Sequence, residues 1–217
     1  MCKLKTKTAL FFCVSLIAAA SFVSTAEATN YFAGYSYYNN DGSPPSNGVS
    51  ATVYTVNLNV PAGYFGCQWS MVVTSHAYNY YTQIGYTNQS ETNYALRYFW
   101  ETRNSSRLDP FVYYDSTGPS VGTTHTYQIS KSNGDSYWTL RVDGTQKCQT
   151  NANGVADYEA MSETTYPTVR IDNTHFTAIE YKQINDWYLW DQHAIAQSYP
   201  YTVSQTSNYE FTASGGG

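Results

Sequence analysis

The sequence predicts an all-β fold, an antiparallel β-sandwich of jelly-roll type. Three observations favour this fold. Apolar residues recur at every second position, as in Tyr54, Val56 and Leu58, which is the period of a β-strand and not of a helix. Strong hairpin-turn signals separate the apolar segments. These signals are Asn133-Gly134, Asp143-Gly144 and Asn153-Gly154. No long amphipathic helix interrupts the strand pattern, so a concanavalin-like sandwich of about ten short strands is expected.

The predicted strands follow one another from residue 54 to residue 184. The first covers the alternating run from Tyr54 to Val60. The others are expected at about residues 69–75, 79–87, 93–101, 110–114, 123–130, 136–143, 155–163, 166–172 and 175–184. The turn at Asn133-Gly134 joins two of them into a hairpin that buries Trp138. Residues 185–195, with Trp187 and Trp190 three apart, are expected to form one short helical turn.

The first 28 residues have the features of a secretory signal peptide. Three lysines precede an apolar run from Ala9 to Val23, and Ala26-Glu27-Ala28 forms a small-residue cleavage site. The apolar run is shorter than the ~20 residues of a membrane-spanning helix. We therefore expect residues 1–28 to be a signal peptide and residues 29–217 to form a single β-sandwich domain. The mature protein is expected to be secreted and extracellular.

Export also determines the chemistry of the cysteines. Cys2 and Cys13 would leave with the signal, so Cys67 and Cys148 remain and are expected to form a disulfide in an oxidising compartment. The remaining chain has 8 basic and 15 acidic residues, a net charge near −7. This charge argues against nucleic acid and against an anionic membrane as partners. A monomer is expected.

Several kinds of catalytic site are disfavoured by the sequence. The four histidines are scattered, without metal-ligand spacing or a cysteine cluster, so no metal site is predicted. No Gly-x-Ser-x-Gly elbow of a serine hydrolase occurs. Glu159 and Glu163 would lie roughly 13 Å apart along one strand, whereas glycosidase carboxylates lie about 5 to 9.5 Å apart. The glycosidase hypothesis therefore requires that one of them pair with Glu101 on a neighbouring strand.

Two segments place polar side chains at mid-strand. In Tyr81-Thr82-Gln83-Ile84-Gly85-Tyr86, alternation points Gln83 away from Ile84, so Gln83 faces a groove if Ile84 faces the core. In Tyr158-Glu159-Ala160-Met161-Ser162-Glu163, the two glutamates and Met161 share a face. An amide and a carboxylate that face one groove could form a catalytic pair.

The order of these features along the chain resembles that of the glutamic peptidases of the eqolisin type. Five features follow one another along the chain. They are a strand with Trp69, the Gln83-Ile84-Gly85 strand, Tyr98-Phe99-Trp100-Glu101, a hairpin with Trp138 and the segment that begins at Glu159. The resemblance covers about residues 65 to 180 and rests on order and spacing. In that family a Gln-x-Gly strand supplies the catalytic glutamine and a Glu-Trp-Ile-x-Glu strand supplies the catalytic glutamate. Ala160 and Met161 stand here where the family has Trp and Ile.

The resemblance implies a secreted acid endopeptidase with Gln83 and Glu159 as the catalytic pair. Ionised Glu159 would take a proton from water and return it to the leaving amine, while Gln83 would stabilise the oxyanion. Neither a metal nor another cofactor is required, and activity is expected to peak at acidic pH. A polypeptide substrate would be bound as an extended strand. The expected substrate-binding residues are Glu101, Glu163, Tyr81, Tyr98 and Trp69.

A second hypothesis belongs to a different class. A non-catalytic, lectin-like or surface-structural sandwich could bind carbohydrate or a partner protein through the same aromatic groove. Glu159 would then be a carboxylate on a solvated strand face, and Gln83 a polar residue that forms cross-strand hydrogen bonds. The sequence also leaves open which of Glu159 and Glu163 is the general base, because both lie on one strand face.

Overall fold

The computed structural model describes residues 30–37, 47–58, 60, 68–75, 81–89, 92–103, 111–151 and 157–217. The expected signal peptide lies outside these residues, and so does Cys67. The disulfide between Cys67 and Cys148 therefore stays a prediction. Within the described ranges, no helix is both long enough and apolar enough to span a bilayer.

Strands form nearly all of the regular structure. They are β1 (Tyr31–Tyr37), β2 (Gly48–Tyr54), β3 (Gln68–Ser75), β4 (Tyr81–Asn88), β5 (Arg97–Arg103), β6 (Phe111–Tyr114), β7 (Thr124–Ser130), β8 (Trp138–Val142), β9 (Thr145–Thr150), β10 (Asp157–Thr164), β11 (Ile171–Gln183), β12 (Asp186–Leu189), β13 (Ala194–Gln197), β14 (Tyr201–Ser207) and β15 (Glu210–Gly215).

The strands assemble into two antiparallel sheets. The first sheet has the order β13-β1-β10-β3-β4-β5-β6, and the second has the order β14-β15-β11-β2-β7-β8-β9, with β12 paired to β11. Strands that are neighbours in a sheet are often far apart in the chain, as β10 is from both β1 and β3. The predicted antiparallel β-sandwich of jelly-roll type is confirmed.

An aromatic-rich core fills the space between the sheets. Alternation buries Ile84 of β4 completely, and Trp138 of β8 is buried as predicted, with 1% of its surface exposed. Phe176 and Phe211 of the second sheet stack at a ring-centroid distance of 4.6 Å. The buried Tyr158 hydroxyl of β10 accepts a hydrogen bond from the backbone N–H of Gly48 at 2.9 Å, which joins the two sheets. The inner face of β4 and β10 is thus packed against the second sheet, and their other face points outward.

The structure corrects three of the predicted elements. The strand expected from Tyr54 to Val60 is wrong, because β2 ends at Tyr54. Beyond it, the backbone N–H groups of Thr55 and Val56 donate to the Thr123 carbonyl and to the Tyr86 hydroxyl instead of to a strand ladder. The alternating apolar residues after Tyr54 are side chains buried in a loop.

The helical turn expected at residues 185–195 is also wrong. This segment forms β12, which returns along β11, and begins β13, which joins the other sheet. The strand expected at 166–172 is wrong over most of its length, because residues 166–170 form a turn and β11 begins at Ile171. β11 contains nearly all of the strand expected at 175–184. Strands β1, β2, β9 and β12 to β15 were not predicted.

Candidate active site

A groove of about 690 Å³ crosses the face of the first sheet that points away from the second sheet. Five neighbouring strands of the sheet and β13 contribute side chains to it. The residues that line it are Asn30, Phe32, Ser36, Trp69, Met71, Val73, Tyr81, Gln83, Glu101, Arg103, Asp157, Glu159, Met161, Glu163 and Ala196. Most of the polar atoms that could do chemistry lie on β4, β5 and β10.

Strand register places Gln83 and Glu159 in one row across the groove. Glu159 on β10 is paired with Val73 on β3, which is paired with Gln83 on β4. Gln83 is in turn paired with Glu101 on β5. Only one strand separates Glu159 from Gln83, so their Cα atoms are about 10 Å apart at ~4.8 Å per strand. Both side chains therefore flank the same stretch of the groove, above Val73.

Gln83 is held by a hydrogen bond along this row. Its Nε2 donates to Oε2 of Glu101 at 2.7 Å, and only 9% of the residue surface is exposed. The other carboxylate oxygen of Glu101 accepts a hydrogen bond from the Tyr81 hydroxyl. The amide group of Gln83 has a second N–H and a carbonyl oxygen, and neither is bonded to a residue that the structure describes.

Glu159 is half-buried in the groove, and its carboxylate makes no hydrogen bond within the described part of the chain. Burial raises the pKa of Glu159 to about 7, and the nearby charge of Asp157 raises it further. A carboxyl group with a pKa near neutrality exchanges a proton readily around pH 7. It is suited to general acid-base chemistry.

Glu163 lies in the same groove, four residues along β10. Burial raises the pKa of Glu163 to about 8, and the charges of Glu101 and Glu159 add to this effect, while a hydrogen bond from Asn30 opposes it. Burial also raises the pKa of Glu101, although the hydrogen bonds from Tyr81 and Gln83 oppose that increase. Three carboxyl groups in this groove are thus easier to protonate than in water.

The floor and walls between these polar groups are apolar. Met71, Val73, Phe99 and Met161 form a small buried cluster on the outer face of the sheet. Phe32, Trp69, Tyr81 and Tyr114 are half-buried against this cluster. A groove with an apolar floor and few polar groups is typical of a site that binds an organic ligand.

Four of the predicted substrate-binding residues line the groove, namely Trp69, Tyr81, Glu101 and Glu163. The expectation for Tyr98 is wrong. Tyr98 packs against the core between the sheets, and its hydroxyl lies 3.4 Å from Nδ1 of His125. The physical reason is alternation, because Tyr98 is an odd number of residues from Glu101 on β5 and must point to the opposite face.

The glycosidase hypothesis required Glu101 to pair with Glu159 or Glu163 on a neighbouring strand, and the sheet order does not allow this pairing. Strands β3 and β4 stand between β5 and β10. The Cα atoms of Glu101 and Glu159 are therefore about 14 Å apart at ~4.8 Å per strand. The condition on which the glycosidase hypothesis depended is not met.

Sequence reasoning missed several residues of the groove. Asp157 and Arg103 share a strand face with Glu159 and Glu101, so the two-residue period could have found them. Four other residues of the groove could not be found from the sequence, because strands β1 and β13 were not predicted. They are Asn30, just before β1, Phe32 and Ser36 in β1, and Ala196 in β13. In the described part of the chain, no group of three or more His, Cys, Asp or Glu residues could hold a metal ion.

Comparison with known proteins gives a result only at the level of structure. No protein-family profile and no curated protein matches the sequence. The chain is similar to the crystal structure of scytalido-glutamic peptidase with a peptide-based transition state analogue, at a TM-score of 0.60 and 9% identity, over 87% of this chain and 98% of that chain. It is also similar to SCP-B, a member of the eqolisin family of peptidases, in a complex with the tripeptide Ala-Ile-His. That match has a TM-score of 0.56 and 11% identity and covers 85% of this chain and 98% of that chain. The chain therefore has the fold of the eqolisin glutamic peptidases.

Proposed function

We propose that this protein is an endopeptidase in which Glu159 and Gln83 activate water against a peptide bond. The observation that carries the proposal is the row in which both residues flank one groove, on the fold of the glutamic peptidases. A carboxylate and an amide in this arrangement provide the proton acceptor and the oxyanion donor that amide hydrolysis needs.

Glu159, and not Glu163, is the proposed general base. Glu159 lies in the row of Gln83, whereas Glu163 is paired with Trp69, four residues further along the strands. Four residues correspond to roughly 13 Å at ~3.3 Å per residue. The backbone of Glu159 is therefore much nearer to that of Gln83 than the backbone of Glu163 is.

The reaction uses only groups of the groove and water. Ionised Glu159 accepts a proton from water as the water oxygen bonds to the carbonyl carbon of the substrate. The second N–H of Gln83 donates to the oxyanion that develops. Glu159 then gives its proton to the leaving nitrogen as the C–N bond breaks, and it returns to the ionised state.

The pH range expected from the sequence moves upward on this proposal. An acidic pH optimum requires a Glu159 of ordinary pKa, but burial raises the pKa of Glu159 to about 7. Glu159 would be mostly protonated in that acidic range and could not start as a base. The ascending limb of kcat/KM should therefore lie near pH 7.

The substrate is proposed to be a polypeptide that lies extended over the apolar floor formed by Met71, Val73, Phe99 and Met161. The peptide-based ligands of the two similar structures support this class of substrate. We also propose that the protein is exported, on the basis of the signal-peptide features of residues 1–28.

The experiment compares cleavage of an unfolded, carboxymethylated protein by the wild type, Glu159→Gln and Gln83→Ala, from pH 3 to pH 8. We expect Glu159→Gln to lower kcat by at least about 100-fold, as for loss of a general base, and Gln83→Ala by about 100-fold or more, as for loss of an oxyanion donor. Glu180→Gln removes a half-buried carboxyl from the second sheet and should leave activity unchanged. Equal activity of all variants, or no cleavage by the wild type at any pH, would sink the peptidase proposal. The second outcome would favour a non-catalytic binding sandwich.

A further inference from the structure

Glu101 occupies an unusual position for a residue that only contacts substrate. Only 6% of its surface is exposed, and both of its carboxylate oxygens are engaged within the sheet. Oε2 accepts from Nε2 of Gln83 at 2.7 Å, and Oε1 accepts from the Tyr81 hydroxyl. Tyr81 and Gln83 both belong to β4, so two hydrogen bonds hold Glu101 of β5 to the strand that carries the proposed oxyanion donor.

The two ends of a glutamine amide are not interchangeable in this position. Both carboxylate oxygens of Glu101 accept hydrogen bonds in the structure, so the Nε2 end of Gln83 faces Glu101 and the Oε1 end faces away. Without such a partner the terminal torsion of glutamine has broad, nearly two-fold preferences. A flipped amide would direct its carbonyl oxygen where its N–H is needed.

We propose that Glu101 is a positioning residue that fixes the amide orientation of Gln83, and that Tyr81 holds Glu101 in place. The chain Tyr81 to Glu101 to Gln83 keeps one N–H of Gln83 on Glu101 and leaves the second N–H for the groove. Fixing a catalytic group by partners one step removed from the substrate is how sites keep their geometry. The catalytic consequence rests on the proposed function, but the orientation of the amide does not.

Glu101→Gln tests the orientation because it keeps size and shape but changes the hydrogen-bond polarity. With its Oε1 on Tyr81, its NH₂ group meets the NH₂ group of Gln83, which then turns over. With its Oε1 on Gln83, that hydrogen bond loses its charged acceptor, so the surroundings of the Gln83 amide change in either case. In a ¹H–¹⁵N spectrum, the side-chain NH₂ signals of Gln83, assigned by their loss in Gln83→Ala, should shift in Glu101→Gln. They should not shift in Glu180→Gln. Unchanged Gln83 signals in Glu101→Gln would overturn the proposal, whether or not the wild type is active.

Activity provides a second, separable readout. Glu101→Gln should lower kcat by about 10- to 100-fold, the usual effect of losing a supporting partner of this kind, while KM changes less than about twofold. Tyr81→Phe should have a smaller effect in the same direction. In the Gln83→Ala background, Glu101→Gln should have no further effect, because Glu101 acts through Gln83. Equal losses in both backgrounds, or a change confined to KM, would contradict a positioning role. A wild type that cleaves nothing would instead remove the proposed function, and the amide signals would still decide the orientation.

Discussion

The protonation of Glu159 depends on two neighbours of different kinds, the apolar floor and Asp157. Burial over the floor is the larger cause of its raised pKa, and the charge of Asp157, two residues earlier on the same strand face, adds to it. Sequence alternation places Asp157 and Glu159 on one face, but only the assembled groove shows that Glu159 is desolvated. The consequence for pH dependence therefore comes from the structure.

Asp157→Asn should shift the pH dependence of the proposed activity. Removing the negative charge of Asp157 makes ionisation of Glu159 easier and lowers its pKa. The ascending limb of kcat/KM should move to lower pH by a few tenths of a unit to about one unit, as measured in a series of buffers of constant ionic strength. Asp172→Asn, which removes an acid from the second sheet, should leave the limb in place. A limb that stays in place or moves to higher pH in Asp157→Asn would contradict Glu159 as the titrating base.

At the scale of elements, β4 carries the catalytic candidate Gln83 and also approaches β3 closely at Gly85. Gln83 faces the groove, and Gly85 lies two residues further on the same face. A Cβ atom on Gly85 would lie 2.0 Å from the carbonyl oxygen of Ser70 on β3. A glycine inside a strand often marks such an approach, so the Gln-x-Gly pattern has a packing reason as well as a chemical one.

Gly85→Ala should therefore destabilise the protein by roughly 2 to 4 kcal/mol, because β3 and β4 must separate to admit the methyl group. Thermal unfolding should show a clearly lower Tm. Gly144→Ala is the matched control, since Gly144 lies in a turn with a φ of +75° and nothing within 4 Å of an added Cβ. It should cost only about 1 kcal/mol of backbone strain. Equal losses in the two variants would show that β3 and β4 do not approach as closely as described.

The success of strand prediction also differs between elements for a physical reason. The strands β3 to β8 and β10 show alternation over residues that pack on one sheet, so the period alone located them. Strands β12 to β14 have many exposed residues on both faces, so their pattern carries little contrast. Their pairing with β11, β1 and β15, and not their own composition, makes them strands.

On the scale of the whole molecule, the buried carboxyls of the groove link stability to pH. Burial raises the folded-state pKa values of Glu159 and Glu163 to about 7 and about 8, above the ordinary value of 4.5. The folded protein then keeps protons that the unfolded chain releases as the pH rises above about 4.5. Their contribution is fully present below that pH and is lost as the pH rises through about 7 and 8, by on the order of 3 to 5 kcal/mol for each carboxyl.

The Tm should accordingly be higher at pH 4.5 than at pH 8.5. Glu163→Gln cannot ionise, so it should raise the Tm at pH 8.5 with little change at pH 4.5 and reduce the difference between the two values. Asp135→Asn, at an exposed acid in the turn between β7 and β8, should keep the full difference. A difference of wild-type size in Glu163→Gln would show that Glu163 is not the buried, proton-holding group described.

The sequence by itself determined the all-β class, many of the strands and the side chains that share a strand face, because the two-residue period is a local property. It was therefore enough to direct Gln83 away from Ile84 and to place Glu159 with Glu163. Only the tertiary structure decided which strands are neighbours: β3 between Gln83 and Glu159, and β3 and β4 between Glu101 and Glu159. Pairing between distant segments depends on how two whole sheets bury their inner faces together, and no short stretch of sequence carries that information. For the same reason, only the tertiary structure reveals the raised pKa of Glu159 and the hydrogen bond that holds Gln83 to Glu101.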